Sequence, residues 1–288
     1  MKDFLTTKDL NKEQIEEILK TTDQLKDKKE PILKGKTLAL YFEKPSLRTA
    51  VSFNVAMEHL GGHSIFLSNT QVKLGERESI KDFAGVLSRY VDGIMARLFS
   101  HQSMLELAKY ATVPVVSGLD DLEHPCQALA DLYTIRNNGK LEKDAKIVFL
   151  GDGSNNTFHS LIYLCNKLGM EVVVSCPEKY KPKIDVNFKI VKDPKEAVKD
   201  ADVLYTDVFV SMGQETEKEQ RMKDLKEYTL TTNLLNLASS DCIVLHPMPM
   251  KWHEITQEVA YSKNSVIFDQ AENRLHVQKA ILFMLLKD

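Results

Sequence analysis

The 288-residue chain has little cysteine. Its four thiols, Cys126, Cys165, Cys176 and Cys242, are widely spaced and form no Cys-x-x-Cys pair, which argues against both a zinc site and a disulfide framework. A reducing compartment suits such a chain. No apolar run approaches the length of a bilayer span, and the first residues, MKDFLTTKDL, carry charge from the second position with no apolar signal core. A cytoplasmic location without a membrane partner is the expectation. Net charge is −3, no electrostatic footprint for nucleic acid. A small molecule is the default partner. Arginine is scarce as well: only Arg48, Arg77, Arg89, Arg97, Arg136, Arg221 and Arg274 occur among 38 basic residues. A guanidinium offers a planar fork of donors where lysine is a mobile point charge, so each arginine is a candidate for a geometric role.

What the chain does have is alternation. Apolar or β-branched runs at 37–42 (TLALYF), 63–67 (HSIFL), 93–98 (GIMARL) and 113–117 (VPVVS) read as strands, separated by stretches with helical period such as RTAVSFNVAMEHL and HQSMLELAKYA. The pattern restarts in the second half with KIVFLGD (146–152), EVVVSC (171–176), DVLYTDV (202–208), CIVLHP (242–247) and SVIFD (265–269). Repeated strand–helix units imply parallel sheets covered by helices. The length suits two domains, and HPCQALADLYTIRNNGKL is the natural connecting helix. The expectation is two parallel-sheet α/β domains. One covers 1–135 and is completed by a C-terminal helix at 272–288 that packs back on it; the other covers 136–271. Ligands of such sheets sit beyond the carboxyl ends of the strands.

After the first strand, Glu43-Lys44-Pro45-Ser46-Leu47-Arg48-Thr49 leads into a helix. A helix start supplies free N–H groups and positive dipole, and here two hydroxyls and one scarce arginine are added. That is anion-binding chemistry, and phosphate is the obvious anion. A plain Pro-Ser helix cap would use the same residues.

The segment resembles the SxRT phosphate-binding motif of the aspartate/ornithine carbamoyltransferase family. Arg97 in MARLFSH, His124-Pro125-Cys126-Gln127, and Ala271-Glu272-Asn273-Arg274 after the last expected strand match further motifs in family order, so the resemblance spans essentially the whole chain. It implies an enzyme that moves the carbamoyl group of carbamoyl phosphate onto an amine. Ser46, Leu47, Arg48 and Thr49 would hold the phosphate, Arg97, His124 and Gln127 the carbonyl and amide end, and Arg274 would assist, with Arg48, Arg97 and His124 as the catalytic set. Negative charge grows on the carbonyl oxygen as the amine attacks, and each preformed donor there is worth on the order of 3 kcal/mol. Beside Arg97, His124 would be disfavoured from carrying a second positive charge. No cofactor, metal or covalent intermediate is needed.

The acceptor is read from the second half. TDVFVSMGQE resembles the DxxxSMG loop of the ornithine branch, which implies that Asp207, Ser211 and Met212 grip an amino acid. GDGSNN (151–156) has Asn156 where a dinucleotide fingerprint has its third glycine, and the resemblance implies that Asn156 meets the acceptor's α-carboxylate. Ornithine, giving citrulline within arginine biosynthesis, is the implied acceptor.

Two departures stand out. Where ornithine enzymes have His-Cys-Leu-Pro, this chain has His246-Pro247-Met248-Pro249, and proline supplies no thiolate. Pro247 and Met248 would therefore line the acceptor site in an altered form. Lys73, in VKLGERES (72–79), stands where many ornithine enzymes have glutamine; aspartate enzymes use a loop lysine across a subunit boundary, so Lys73 is a further phosphate-binding candidate. A homotrimer, or a larger oligomer built from trimers, is implied by family alone. Another amine (putrescine, a modified amino acid, aspartate) or a silent ligand-binding paralogue are the competing readings.

Overall fold

The computed structural model describes residues 1–70, 73–141 and 144–287. Val72, which opens the Lys73 loop, and Asp288, at the end of the expected C-terminal helix, lie outside the described residues. The chain divides into two compact units, Met1–Ala130 with Arg274–Asp288, and Asp131–Asn273.

In the first unit the order is α1 (Lys12–Leu25), β1 (Thr37–Phe42), α2 (Leu47–His59), β2 (His63–Ser68), α3 (Ile80–Leu87), β3 (Gly93–Arg97), α4 (His101–Tyr110), β4 (Val115–Leu119) and α5 (Pro125–Asn137), the last running on into the second unit. Helix α1 starts with a reciprocal cap: the Asn11 side chain accepts from the Gln14 N–H, and the Gln14 side chain from that of Asn11. The four strands are parallel in the order β2-β1-β3-β4. β1 is continuously apolar because, apart from half-buried Thr37, it is buried throughout. Edge strand β2 is partly exposed. Ala39, Tyr41, Ile94, Ala96, Met104, Leu107 and Val115 belong to the core.

The second unit contains β5 (Lys146–Leu150), α6 (Asn156–Leu168), β6 (Glu171–Ser175), β7 (Lys189–Ile190), α7 (Pro194–Ala197), β8 (Val203–Thr206), α8 (Lys218–Leu225), α9 (Thr232–Leu235), β9 (Ile243–Leu245), α10 (Gln257–Ala260) and the start of α11 (Ile267–Leu286). Its sheet is parallel in the order β7-β6-β5-β8-β9. Val148, Leu150, Val173, Leu204, Val244 and Ile255 belong to its core. Helix α6 ends at Gly169, whose φ of 75° is the left-handed cap geometry that glycine adopts without a Cβ clash.

The strand orders locate the sites. In the first sheet, β1 is flanked by β2 on one side and β3 on the other, so the winding reverses between β1 and β3, and Phe42 pairs with Arg97 there. In the second it reverses between β5 and β8, where Leu150 pairs with Thr206. Crevices at such reversals receive ligands. The segments leaving these four strand ends are Glu43–Thr49, Leu98 onward, Gly151–Asn156 and Asp207–Gly213.

One expected strand is corrected. SVIFD (265–269) is not a strand: only Ser265 bridges to Val244, and helix α11 begins at Ile267. The β-branched run is too short to outweigh the helical period that follows it. Ala271–Arg274 therefore lies inside a helix, not after a strand, and that helix starts at 267 instead of 272. Several expected strands also end early: β5 stops at Leu150, β6 at Ser175, β8 at Thr206 and β9 at Leu245, because the residues beyond them turn into loops.

Candidate active site

The first unit gathers four cationic side chains around one helix start. Ser46 caps α2, its hydroxyl accepting the Thr49 N–H (3.4 Å) and donating to Thr49 Oγ1 (3.0 Å). Two arginines converge on that same threonine oxygen: Arg274 Nη2 at 2.6 Å and Arg97 Nη1 at 3.5 Å. Arg97 is buried, its Nε has no hydrogen-bond partner within the protein, and the described residues offer it no carboxylate. Burial first, then the neighbouring Arg274 and Arg48, pull its pKa down to about 10, so it stays charged at neutral pH. Burial also lowers the pKa of Arg48.

Lys44 completes the set. It is buried, with Nζ 4.5 Å from the centre of the Phe99 ring, and burial followed by the charge of Arg97 lowers its pKa. Sequence reasoning passed over Lys44, although it stands inside the Glu43–Thr49 segment. Like charges gathered in a buried place repel one another, so the cluster is suited chemically to binding an anion.

His124 and Gln127 lie at the entry to α5, both buried. Burial, then Arg274, then Arg97 hold the His124 pKa well below the ordinary value, so the ring is neutral. The turn before it is fixed by two carboxylates. Asp120 accepts from the Leu122 and Glu123 N–H groups (2.9 and 2.8 Å) and lies 2.8 Å from His101 Nδ1. Glu123 accepts from Thr6, and from Thr7 through its N–H (3.1 Å) and hydroxyl (3.2 Å). Cys126 is buried with its thiol pushed up to about 12 by burial, which leaves no thiolate. Lys73 is not brought to this cluster: it is exposed and pairs with Glu76 at 3.1 Å.

In the second unit Asp207 is half-buried just past β8. It accepts from Asn155 Nδ2 (2.8 Å) and its neighbour Val208 N–H (2.7 Å). Burial raises its pKa, partly offset by His246 and by these hydrogen bonds. Asn155, overlooked in the sequence, also caps α6 through Oδ1, which accepts from the Thr157 and Phe158 N–H groups. Its position before a helix was the available signal. Asn156 is the first helical residue beside it. The Ser211 N–H donates to Gln214 Oε1 (3.0 Å), Met212 is exposed, and the Gly213 N–H donates to Glu215.

The His246–Pro249 stretch is pinned from beneath. His246 Nδ1 accepts the Met248 N–H (2.9 Å), so Nε2 carries the proton donated to Glu254 Oε1 (3.0 Å); both side chains are fully buried. Burial opposes charge on Glu254, yet hydrogen bonds from His246 and the Lys251 N–H hold its carboxyl below the ordinary range. The His246 N–H donates to Gln270, which donates to Asp131, whose other oxygen accepts from Tyr205. Pro247 is buried, and Met248 is half-buried with φ of 56°.

Two parallel α/β units, one carrying a buried cation cluster at its winding reversal, define a two-domain α/β protein equipped to bind a small anion. Residues 2–137 match the carbamoyl-phosphate-binding domain of aspartate/ornithine carbamoyltransferases, and residues 143–285 match their Asp/Orn-binding domain. The chain is 47% identical to the ornithine carbamoyltransferase of Archaeoglobus fulgidus, over 99% of this chain and 98% of the relative. It is also 47% identical to the anabolic ornithine carbamoyltransferase of Pyrococcus furiosus, over 99% and 96%. The solved ornithine carbamoyltransferase of Pyrococcus furiosus superposes with a TM-score of 0.94 over 99% of this chain and 97% of that one, at 46% identity. The chain belongs to the aspartate/ornithine carbamoyltransferase family, and its two units have that family's α/β fold.

Proposed function

We propose that the protein transfers the carbamoyl group of carbamoyl phosphate to the side-chain amine of L-ornithine, giving citrulline and phosphate. The buried guanidinium groups that converge on Thr49 carry this reading, because they offer a dianion forked donors beside one helix start. Ser46, the Leu47 and Thr49 backbone, Arg48, Arg97 and Arg274 hold the phosphate. Neutral His124 donates to the carbonyl oxygen, and Gln127 holds the carbamoyl amide. As the amine attacks the carbonyl carbon, charge builds on that oxygen and on the departing phosphate, and fixed donors already face both. No step calls on a metal or cofactor.

Asn156 receives the acceptor's α-carboxylate, and Asp207 with Ser211 its α-amino group. Met212, Pro247 and Met248 enclose the methylene chain. The likeness to ornithine carbamoyltransferases supports ornithine and, through the anabolic enzyme of Pyrococcus furiosus, a place in arginine biosynthesis. Pro247 in the family's cysteine position makes the acceptor the open variable. The decisive assay offers carbamoyl phosphate with ornithine, putrescine, acetylornithine, lysine or aspartate. Citrulline formed at the highest kcat/KM supports the reading; preference for another amine reassigns the acceptor.

We place the enzyme in the cytoplasm, consistent with four free, buried cysteines, and as a homotrimer or an assembly of trimers. Leu47 and Val51, four residues apart on α2, are both exposed and give an apolar strip suited to a neighbouring copy. A solution mass of three chains, or a multiple of three, supports that assembly.

A further inference from the structure

Of the seven arginines, three were assigned to the donor. A fourth, Arg221 on α8, is buried and makes contacts that nothing so far has used. Its Nε donates to the Phe209 carbonyl oxygen at 2.8 Å, inside the Asp207–Gly213 segment. Its Nη2 bonds Asp152, inside the Gly151–Asn156 segment. Nη1 reaches Glu217 at 3.4 Å, and the guanidinium carbon lies 4.9 Å from the centre of the Tyr180 ring. Asp152 in turn accepts from the Ser154 N–H (3.1 Å) and hydroxyl (2.7 Å), so the pull on Asp152 is passed to the turn that sets Asn155 at the start of α6. One planar fork thus ties together the two loops that leave β5 and β8 at the winding reversal. Lysine would do this poorly, since its ammonium is a compact charge on a flexible stem and lacks the planar fork that fixes the spacing of its acceptors.

We propose that Arg221 is the positioning residue of the acceptor half: it fixes the spacing between the Asn155–Asn156 turn and the Asp207–Ser211 loop, and so sets affinity for the amino acid. This deepens the ornithine reading and rests on it. The acceptors of Arg221 are protein oxygens, so it is assigned a positioning and not a binding role. Its effect runs through Phe209 O to the loop of Asp207 and Ser211, and through Asp152 to the turn of Asn155 and Asn156. The described hydrogen bonds of this fork all lie within the second unit, so the effect should fall on one substrate only.

The test uses the full-length enzyme with Arg221→Lys and Arg221→Met, and Glu217→Gln as control. Both Arg221 variants should raise the KM for ornithine by about tenfold or more, with the KM for carbamoyl phosphate within about twofold of wild type. Glu217→Gln, removing only the long contact to an exposed carboxylate, should stay within about twofold on both. Equal changes in both KM values, or an unchanged KM for ornithine, would overturn the proposal. Amide hydrogen exchange without substrate gives an independent readout: Arg221→Met should speed exchange at Gly153–Asn156 and Val208–Gly213 while α2 and α5 stay protected. Faster loop exchange in an enzyme that ignores ornithine would refute the acceptor and not the positioning role. Unchanged exchange refutes the positioning role itself.

Discussion

Both units place their candidate residues at a winding reversal, but they settle charge there in opposite ways. In the first, Arg48, Arg97 and Lys44 are wholly or partly buried and all three pKa values fall, through burial and, for Arg97 and Lys44, through the neighbouring cations as well. In the second, charges are met within the protein: Arg221 by Asp152, Asp207 by Asn155, Glu254 by the His246 N–H. The difference teaches how each half recognises its ligand. A dianion entering the first unit relieves repulsion that folding left in place, so binding and stability should be strongly linked. A zwitterion entering the second must fit between groups already satisfied, so recognition there depends on the positions of loops.

The largest expected effect breaks the first half of that contrast. Arg97→Ala should lower kcat/KM by about a thousandfold or more, since a forked donor to developing charge is lost. Removing one of several like charges should cost little stability, or even raise it, when substrate is absent. Millimolar inorganic phosphate should raise the melting temperature of the wild type and fail to do so for the variant. An Arg97→Ala enzyme that melts well below wild type and keeps its phosphate response would refute the anion-binding role of the cluster.

His124→Ala comes next, with kcat expected to fall by about a hundredfold; a loss within about threefold would remove His124 from the catalytic set. Its ring also sets a pH dependence of stability. The folded pKa lies below the ordinary histidine value, so the unfolded chain binds the extra proton first as pH falls. Stability from this site is therefore complete above about pH 6.5 and declines below it. Urea titrations from pH 7.5 to 5 should show the wild type losing more stability over that range than His124→Gln.

Glu254→Leu tests the satisfied half. It leaves a fully buried His246 N–H without its acceptor, and should cost roughly 2 to 4 kcal/mol by urea unfolding, with Glu254→Gln recovering most of it. The variant's KM should rise for ornithine and stay level for carbamoyl phosphate. Loss of both together would show that the pair serves folding alone.

How much of this was legible in the sequence depends on the range of the interactions. The βα alternation gave both sheets, since continuous apolar runs bury on two faces whatever surrounds them. SVIFD misled because its three apolar residues fit strand and helix alike; the helical period begins inside them at Ile267. The phosphate segment could be read because its chemistry is local, three functional side chains on one helix start. Arg221 and Glu254 were invisible as site residues: their partners Asp152 and Phe209, or His246, are fixed by tertiary packing and no spacing announces them. Asn155 sits between. Its capping role is local, but its bond to Asp207 spans 52 residues.

Lys73 should give the smallest effect, and it bears on whether the first unit's anion site is complete within one chain. The lysine pairs with Glu76 three residues on, and the two side chains are 65% and 70% exposed. An exposed pair of this kind contributes on the order of 0 to 0.5 kcal/mol, because water screens it and two long side chains lose freedom in forming it. Lys73→Ala should therefore leave the melting temperature unmoved. If the cations of one chain suffice for the phosphate, the KM for carbamoyl phosphate will also stay within about twofold of wild type. A rise beyond that, growing as the enzyme is diluted towards single chains, would show instead that Lys73 reaches the phosphate of a neighbouring copy, and that the cluster around Thr49 is finished only on assembly.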